Sequence, residues 1–183
     1  MSEFKLTEDK LPTIASELKV DKAKLDEFLP VFEEFYETVR LQHLASIMRA
    51  LELHIREKHG KPSFRIEWKA MPKGETTTKD GVGLSWPNRY GIAISPELDL
   101  RQLRVHVAHE LGHLFYATEH PENIRDGQEN QNMANVFGVF TMLGRNEFYK
   151  EKAPTMCHAT WTQVINDFKQ LGNREQGKFN TSG

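Results

Sequence analysis

Apolar positions recur at helical spacing from Asp21 onward: Leu25, Phe28, Leu29, Phe32, Phe35 and Val39, then Leu44, Ile47, Met48, Leu51 and Ile55. A period near 3.6 held over that length predicts one long helix or two in series. Proline is best tolerated in the first turn of a helix, so a break is expected at Pro30. Gly60 and Pro62 close the segment, while residues 1–20 are only weakly amphipathic. Phe64-Arg65-Ile66-Glu67-Trp68 alternates apolar with polar and predicts a half-buried strand. Met71 to Gly83 is loop-like in its Pro, Gly, Thr, Lys and Asp content. Val82–Trp86 and Tyr90–Ile94 read as second and third strands. Val105, Ala108, Leu111, Gly112, Leu114 and Phe115 then mark a strongly apolar helix, with Ser95 or Asp99 as its cap. A polar loop from Glu119 to Gly127 follows. A helix begins at Glu129, carries Met133, Ala134, Val136, Phe137, Phe140 and Leu143, and is expected to stop at Gly144-Arg145-Asn146. The last stripe is Trp161, Val164, Ile165, Phe168 and Leu171, followed by a loose tail.

These elements predict an α+β fold, with a small sheet of about three strands packed on a mostly helical scaffold. The expected organisation is one domain over residues 1–172. It has N-terminal helices in 1–60, the sheet in 62–95, a helix pair in 97–143 and a C-terminal helix in 158–171, with a flexible tail at 173–183. A length of 183 residues suffices for one core. A hydrophobic content of 38% with 27% charged residues is ordinary for a soluble chain. The net charge of −2 gives no basic face for nucleic acid, and no helix-turn-helix signature is present. The single cysteine, Cys157, excludes an internal disulfide framework and suits a reducing compartment. The N-terminus lacks a signal-like apolar core, and no apolar run approaches the ~20 residues that span a bilayer. A cytoplasmic protein without membrane or direct nucleic-acid partners is the expectation.

Chemistry concentrates in His109-Glu110-Leu111-Gly112-His113. Helical residues four apart share a face, so both imidazoles point one way and supply half of a tetrahedral zinc site. Glu110 adjoins His109 and is the candidate general base, taking a proton from the attacking water without ligating the metal. Gly112 costs about 1 kcal/mol relative to alanine inside a helix. That cost is expected where another backbone passes close to the metal face. His54 and His59 fit a solvated helix face.

A small sheet leading directly into such a helix resembles the zincin metallopeptidases, in which an edge strand pairs with an extended substrate. Tyr90–Ile94 is the candidate edge strand. The run Val105-His106-Val107-Ala108-His109-Glu110-Leu111-Gly112-His113-Leu114, with Met133-Ala134-Asn135-Val136-Phe137-Gly138 about twenty residues later, resembles the ImmA/IrrE family of bacterial and phage zinc metallopeptidases. The resemblance covers roughly residues 84–143. It implies a gluzincin-like peptidase in which two histidines and a downstream glutamate hold Zn2+. Its substrates would be protein partners, namely transcriptional repressors of mobile elements or stress genes. The family's second helix reads Glu-x-x-Ala-Asn-x-Phe-Ala, and one departure matters: Gln131 stands where the glutamate belongs. Gly138, where alanine is usual, and Leu143-Gly144, where Met-Pro is common, fall on packing or turn positions. Candidates for the third ligand are, in order, Glu129, Gln131 and His120. Glu122 and Asp126 fit a solvated loop. His158 is a candidate oxyanion stabiliser. The expected function is a cytosolic zinc endopeptidase acting on a specific protein partner, with His109, His113 and Glu129 on the metal. The alternative is a catalytically weak or inactive module on the same scaffold that binds and regulates a protein partner.

Overall fold

The computed structural model describes residues 10–39, 44–70, 81–120, 127–153, 155 and 160–181. In chain order these form α1 (Leu11–Glu17), α2 (Lys22–Val39), α3 (Leu44–Lys58), β1 (Arg65–Ala70), β2 (Gly81–Trp86), β3 (Arg89–Ile94), α4 (Leu100–Glu119), α5 (Gln128–Lys152) and α6 (Trp161–Thr181). The fold is therefore mostly helical with a small mixed sheet, an α+β arrangement.

The long apolar period resolves into two helices, yet the break is not at Pro30. α2 runs through that proline, which lies on the exposed side. Phe28, Phe32 and Phe35 are buried on the opposite face, before and after it. Packing of those rings on both sides holds the helix together across the hydrogen bond that proline cannot donate. α1 was not foreseen. It is short, begins with proline in its first turn, and is fixed by burying Leu11, Ile14 and Ala15.

The sheet order is β1-β3-β2, with β1 parallel and β2 antiparallel to β3. The two-residue connection Pro87-Asn88 folds β2 back against β3, pairing Trp86 with Arg89. β3 is thus the central strand, hydrogen-bonded on both sides. This corrects the expectation that Tyr90–Ile94 is an edge. Tyr90, Ile92 and Ile94 are buried, and the Tyr90 hydroxyl donates to the Glu110 carbonyl at 3.2 Å, fastening β3 to α4. β1's outer side is met by α3. Glu52 accepts from the Ile66 amide at 3.0 Å, and Arg56 Nε donates to the Phe64 carbonyl at 2.7 Å. β2 forms the other edge.

α4 begins at a capping box, in which Asp99 accepts from the Gln102 amide while the Gln102 side chain accepts from the Asp99 amide. From Val105 to Gly112 every residue is buried, as expected for a helix apolar nearly all round. Its other neighbours are aromatic. Phe115 meets Phe28, Phe35 and Phe137 with ring centroids 5.7, 5.2 and 5.1 Å away, and Phe32 meets Phe137 and Phe140 at 5.6 and 5.3 Å. These rings join α2, α4 and α5 into one core.

Two helices outrun their expected ends. α5 continues through Gly144 to Lys152 and α6 continues past Leu171 to Thr181. In α5, Gly144 is followed by the helix formers Arg145, Glu147, Lys150, Glu151 and Lys152, while α6 carries two glycines, Gly172 and Gly177. One glycine costs only about 1 kcal/mol.

Candidate active site

α5 packs along α4 with unusual closeness at Gly112. A Cβ placed there would lie 2.5 Å from the Ala134 carbonyl oxygen and 2.9 Å from the Ala134 Cα. Only glycine permits that approach, which is the backbone contact that its presence inside a helix foreshadowed. The approach sets Gln131 and Asn135, on either side of Ala134, against the two imidazoles of α4.

His109 Nδ1 lies 2.7 Å from Asn135 Oδ1. An amide oxygen only accepts, so His109 donates through Nδ1, which leaves Nε2 as its ligand atom. That Nε2 is 3.0 Å from His113 Nε2 and 3.0 Å from Gln131 Oε1, and His113 Nε2 is 3.2 Å from the same oxygen. Three potential ligand atoms therefore form a triangle. For zinc with bonds of about 2.0–2.1 Å to nitrogen or oxygen, tetrahedral ligands stand about 3.3 Å apart, so the triangle needs to open only slightly. The residues fit a divalent metal ion, for which Gln131 would be a neutral donor, weaker than a carboxylate.

His109 is fully buried and Glu110 is 5% exposed. A buried carboxylate requires compensation by hydrogen bonds or opposite charge, which makes Glu110 a residue that packing alone would not select.

Glu129 is placed elsewhere. Its carboxylate accepts from the Tyr116 hydroxyl at 2.8 Å and pairs with Lys24 at 2.5 Å, with nearly half of its side chain exposed. The Lys24 hydrogen bond, aided by Tyr116, holds its carboxyl below the usual range. Glu129 sits two residues before Gln131, hence about 200° around an ideal helix, and α5 is already helical there. The structure brings His109, His113 and Gln131 together and leaves Glu129 on the α2 side. His120 caps α4, with its ring 4.8 Å from that of Tyr116. Glu122, Asp126 and His158 lie outside the described residues.

The family model of the IrrE N-terminal-like domain, a peptidase family designated M78, matches residues 70–170. That span takes in β2, β3, α4, α5 and the first half of α6, more than half of the chain. The chain belongs to this family. No curated protein and no solved structure matches it. Membership places the chain among zincin-like peptidases, a class of metallopeptidases. No helix among the described residues is long and apolar enough to cross a membrane.

For this IrrE-type domain, Asn135 is the residue that reading α4 alone would miss. The family pattern places an asparagine there without saying what it touches. Tyr90 is a second, since a strand tyrosine gives no hint of a bond to the backbone of the helix.

Proposed function

We propose that this IrrE-type domain is a cytoplasmic zinc-dependent endopeptidase that cuts a specific protein partner, of the class of transcriptional repressors of mobile elements or stress genes. The observation that carries the proposal is the triangle of His109 Nε2, His113 Nε2 and Gln131 Oε1, with sides of 3.0 to 3.2 Å, on a buried helix that also bears Glu110. His109, His113 and Gln131 would hold the ion, with Gln131 in the place expected of Glu129. Bound zinc supplies a Lewis acid toward a peptide carbonyl and acidifies water. Asn135 fixes His109's ring orientation and tautomer. Glu110 takes the proton of the attacking water and returns it to the leaving amine as the C–N bond breaks. Because β3 is central, β2 is the strand whose outer edge would hold an extended substrate through main-chain hydrogen bonds. The requirement for an extended segment restricts cleavage to flexible regions of the partner. Control of genes would then act through a protein and not through DNA contact.

The test compares cells producing wild type or Glu110→Gln by mapping newly formed protein N-termini. Loss of a general base costs about 10²–10⁴ in rate, so a partner fragment present with wild type should vanish with the variant while purified Glu110→Gln keeps its fold and metal. An unchanged fragment yield removes Glu110 as the base.

One observation favours a second reading. Gln131, standing where the family has glutamate, leaves the site with no acidic ligand among the described residues. A module that binds and regulates its partner without cutting would retain little zinc, produce no new N-termini, and still capture the partner.

A further inference from the structure

A second set of metal-ligating side chains lies at the other end of α4, away from the histidine pair at its middle. Glu119 is the last residue of α4, and its Oε1 lies 2.8 Å from His54 Nε2 and 3.2 Å from His59 Nε2. All three donor atoms fall within 4.8 Å of one another. Two imidazoles and one carboxylate form the set that takes zinc or another divalent transition-metal cation.

Several features show that the arrangement is built. A spacing of five turns two helical side chains about 140° apart, so His54 and His59 would diverge on a continuous helix. α3 ends at Lys58, the His59 amide closes on the Ile55 carbonyl at 3.1 Å, and Gly60 reverses the chain at φ 63°. The His59 side chain, at the helix end, lies beside that of His54, with ring centroids 5.5 Å apart. The His54 ring is held between Phe35 at 5.6 Å and Phe115 at 6.0 Å, and its side chain is only 14% exposed. His59 and Glu119 are 29% and 21% exposed, which leaves an open side for water to complete a coordination shell. The C-terminal ends of α3 and α4 also meet there, and helix C-termini carry partial negative charge that favours a cation. Lys58, paired with Glu34 at 2.8 Å, is the neighbouring positive charge that partly opposes it.

We propose that His54, His59 and Glu119 form a second divalent transition-metal site, which joins the end of α3 to the end of α4. Nothing in this proposal requires the chain to be a peptidase. A cation bound there binds only the folded chain and raises its stability by mass action.

The test uses the full chain, stripped with chelator and titrated with Zn2+ alone, then Co2+ alone, following bound equivalents by elemental analysis and thermal unfolding. His59→Asn is the main variant, since His59 lies beyond the helix end and asparagine retains a hydrogen-bond donor. Glu119→Gln is the second variant, and His113→Ala marks the site at the middle of α4. Loss of a hydrogen bond to a ligand costs roughly 10–100-fold in metal affinity. Loss of a ligand should exceed that, so His59→Asn and Glu119→Gln should each lose one equivalent and its rise in Tm. That equivalent should survive in His113→Ala. Equal stoichiometry in wild type, His59→Asn and Glu119→Gln would overturn the proposal. So would a single wild-type equivalent that disappears only in His113→Ala.

Discussion

Gly112→Ala tests the backbone-to-backbone contact of α4 on α5, because two opposed effects have calculable signs. Alanine is the better helix former by about 1 kcal/mol, so at an uncrowded site the substitution would stabilise α4. Here the new methyl carbon would lie 2.5, 2.9 and 3.1 Å from the oxygen, Cα and carbonyl carbon of Ala134. Ordinary contact begins near 3.4 Å. All three atoms are backbone, so no side-chain rotation relieves the overlap. α5 would have to retreat by most of an ångström, and its inward residues Met133, Val136, Phe137 and Phe140 are all 1% exposed or less. Overpacking of a tight core costs about 1–3 kcal/mol, occasionally more. Less the gain in helix propensity, a net loss of up to about 2 kcal/mol is expected. The same retreat would carry Gln131 and Asn135 away from His109, opening contacts now at 3.0 and 2.7 Å. Urea unfolding at constant m value measures the first effect, and metal retained after dialysis measures the second. The reasoning predicts that both fall together. A variant as stable as wild type that keeps its metal would show that the helices have slack, and that Gly112 does not set the geometry of the site.

Gln131→Glu should raise zinc affinity at the middle of α4, because a carboxylate replaces a neutral amide among the same three atoms; competition against a chelating dye reads this, and equal or weaker affinity would remove residue 131 from the ligand set. Asn135→Ala leaves His109 Nδ1 without its acceptor and should cost about 10–100-fold in metal affinity, with unchanged affinity showing that the ring is oriented by something else. Gly138→Ala, which installs the family's usual residue, should destabilise the chain. A methyl carbon there would lie 2.2 Å from an edge atom of the fully buried Phe168 ring. The double variant with Phe168→Leu should recover part of the loss, and additive losses in chemical denaturation would refute the pairing. Glu129→Ala breaks the partly exposed link to Lys24, for which such pairs contribute about 0–1 kcal/mol. Full retention of metal is expected, and its loss would return Glu129 to the site.

Much was written locally in the sequence. The 3.6 period located α2 to α6, alternation marked β1, and the choice of Ser95 or Asp99 as cap bracketed the start of α4. Positions four apart on one helix share a face whatever the rest of the chain does, so His109 and His113 were joined by sequence alone. Gly112 announced a close neighbour without naming it. What tertiary structure decided was every relation between elements. Strand order is set by which edges pair, and that made Tyr90–Ile94 central. Pro30 sits inside a helix because aromatic packing on both sides outweighs one missing hydrogen bond. The rotation of α5 against α4, with Gly112 on Ala134, put Gln131 beside the imidazoles and Glu129 beside Tyr116 and Lys24. An acidic side chain two residues off the facing surface cannot reach round the helix, however suitable its chemistry. His54, His59 and Glu119 converge for the same reason. A helix end, a glycine turn and the far end of another helix meet only once the core has closed, and no spacing along the chain records that meeting.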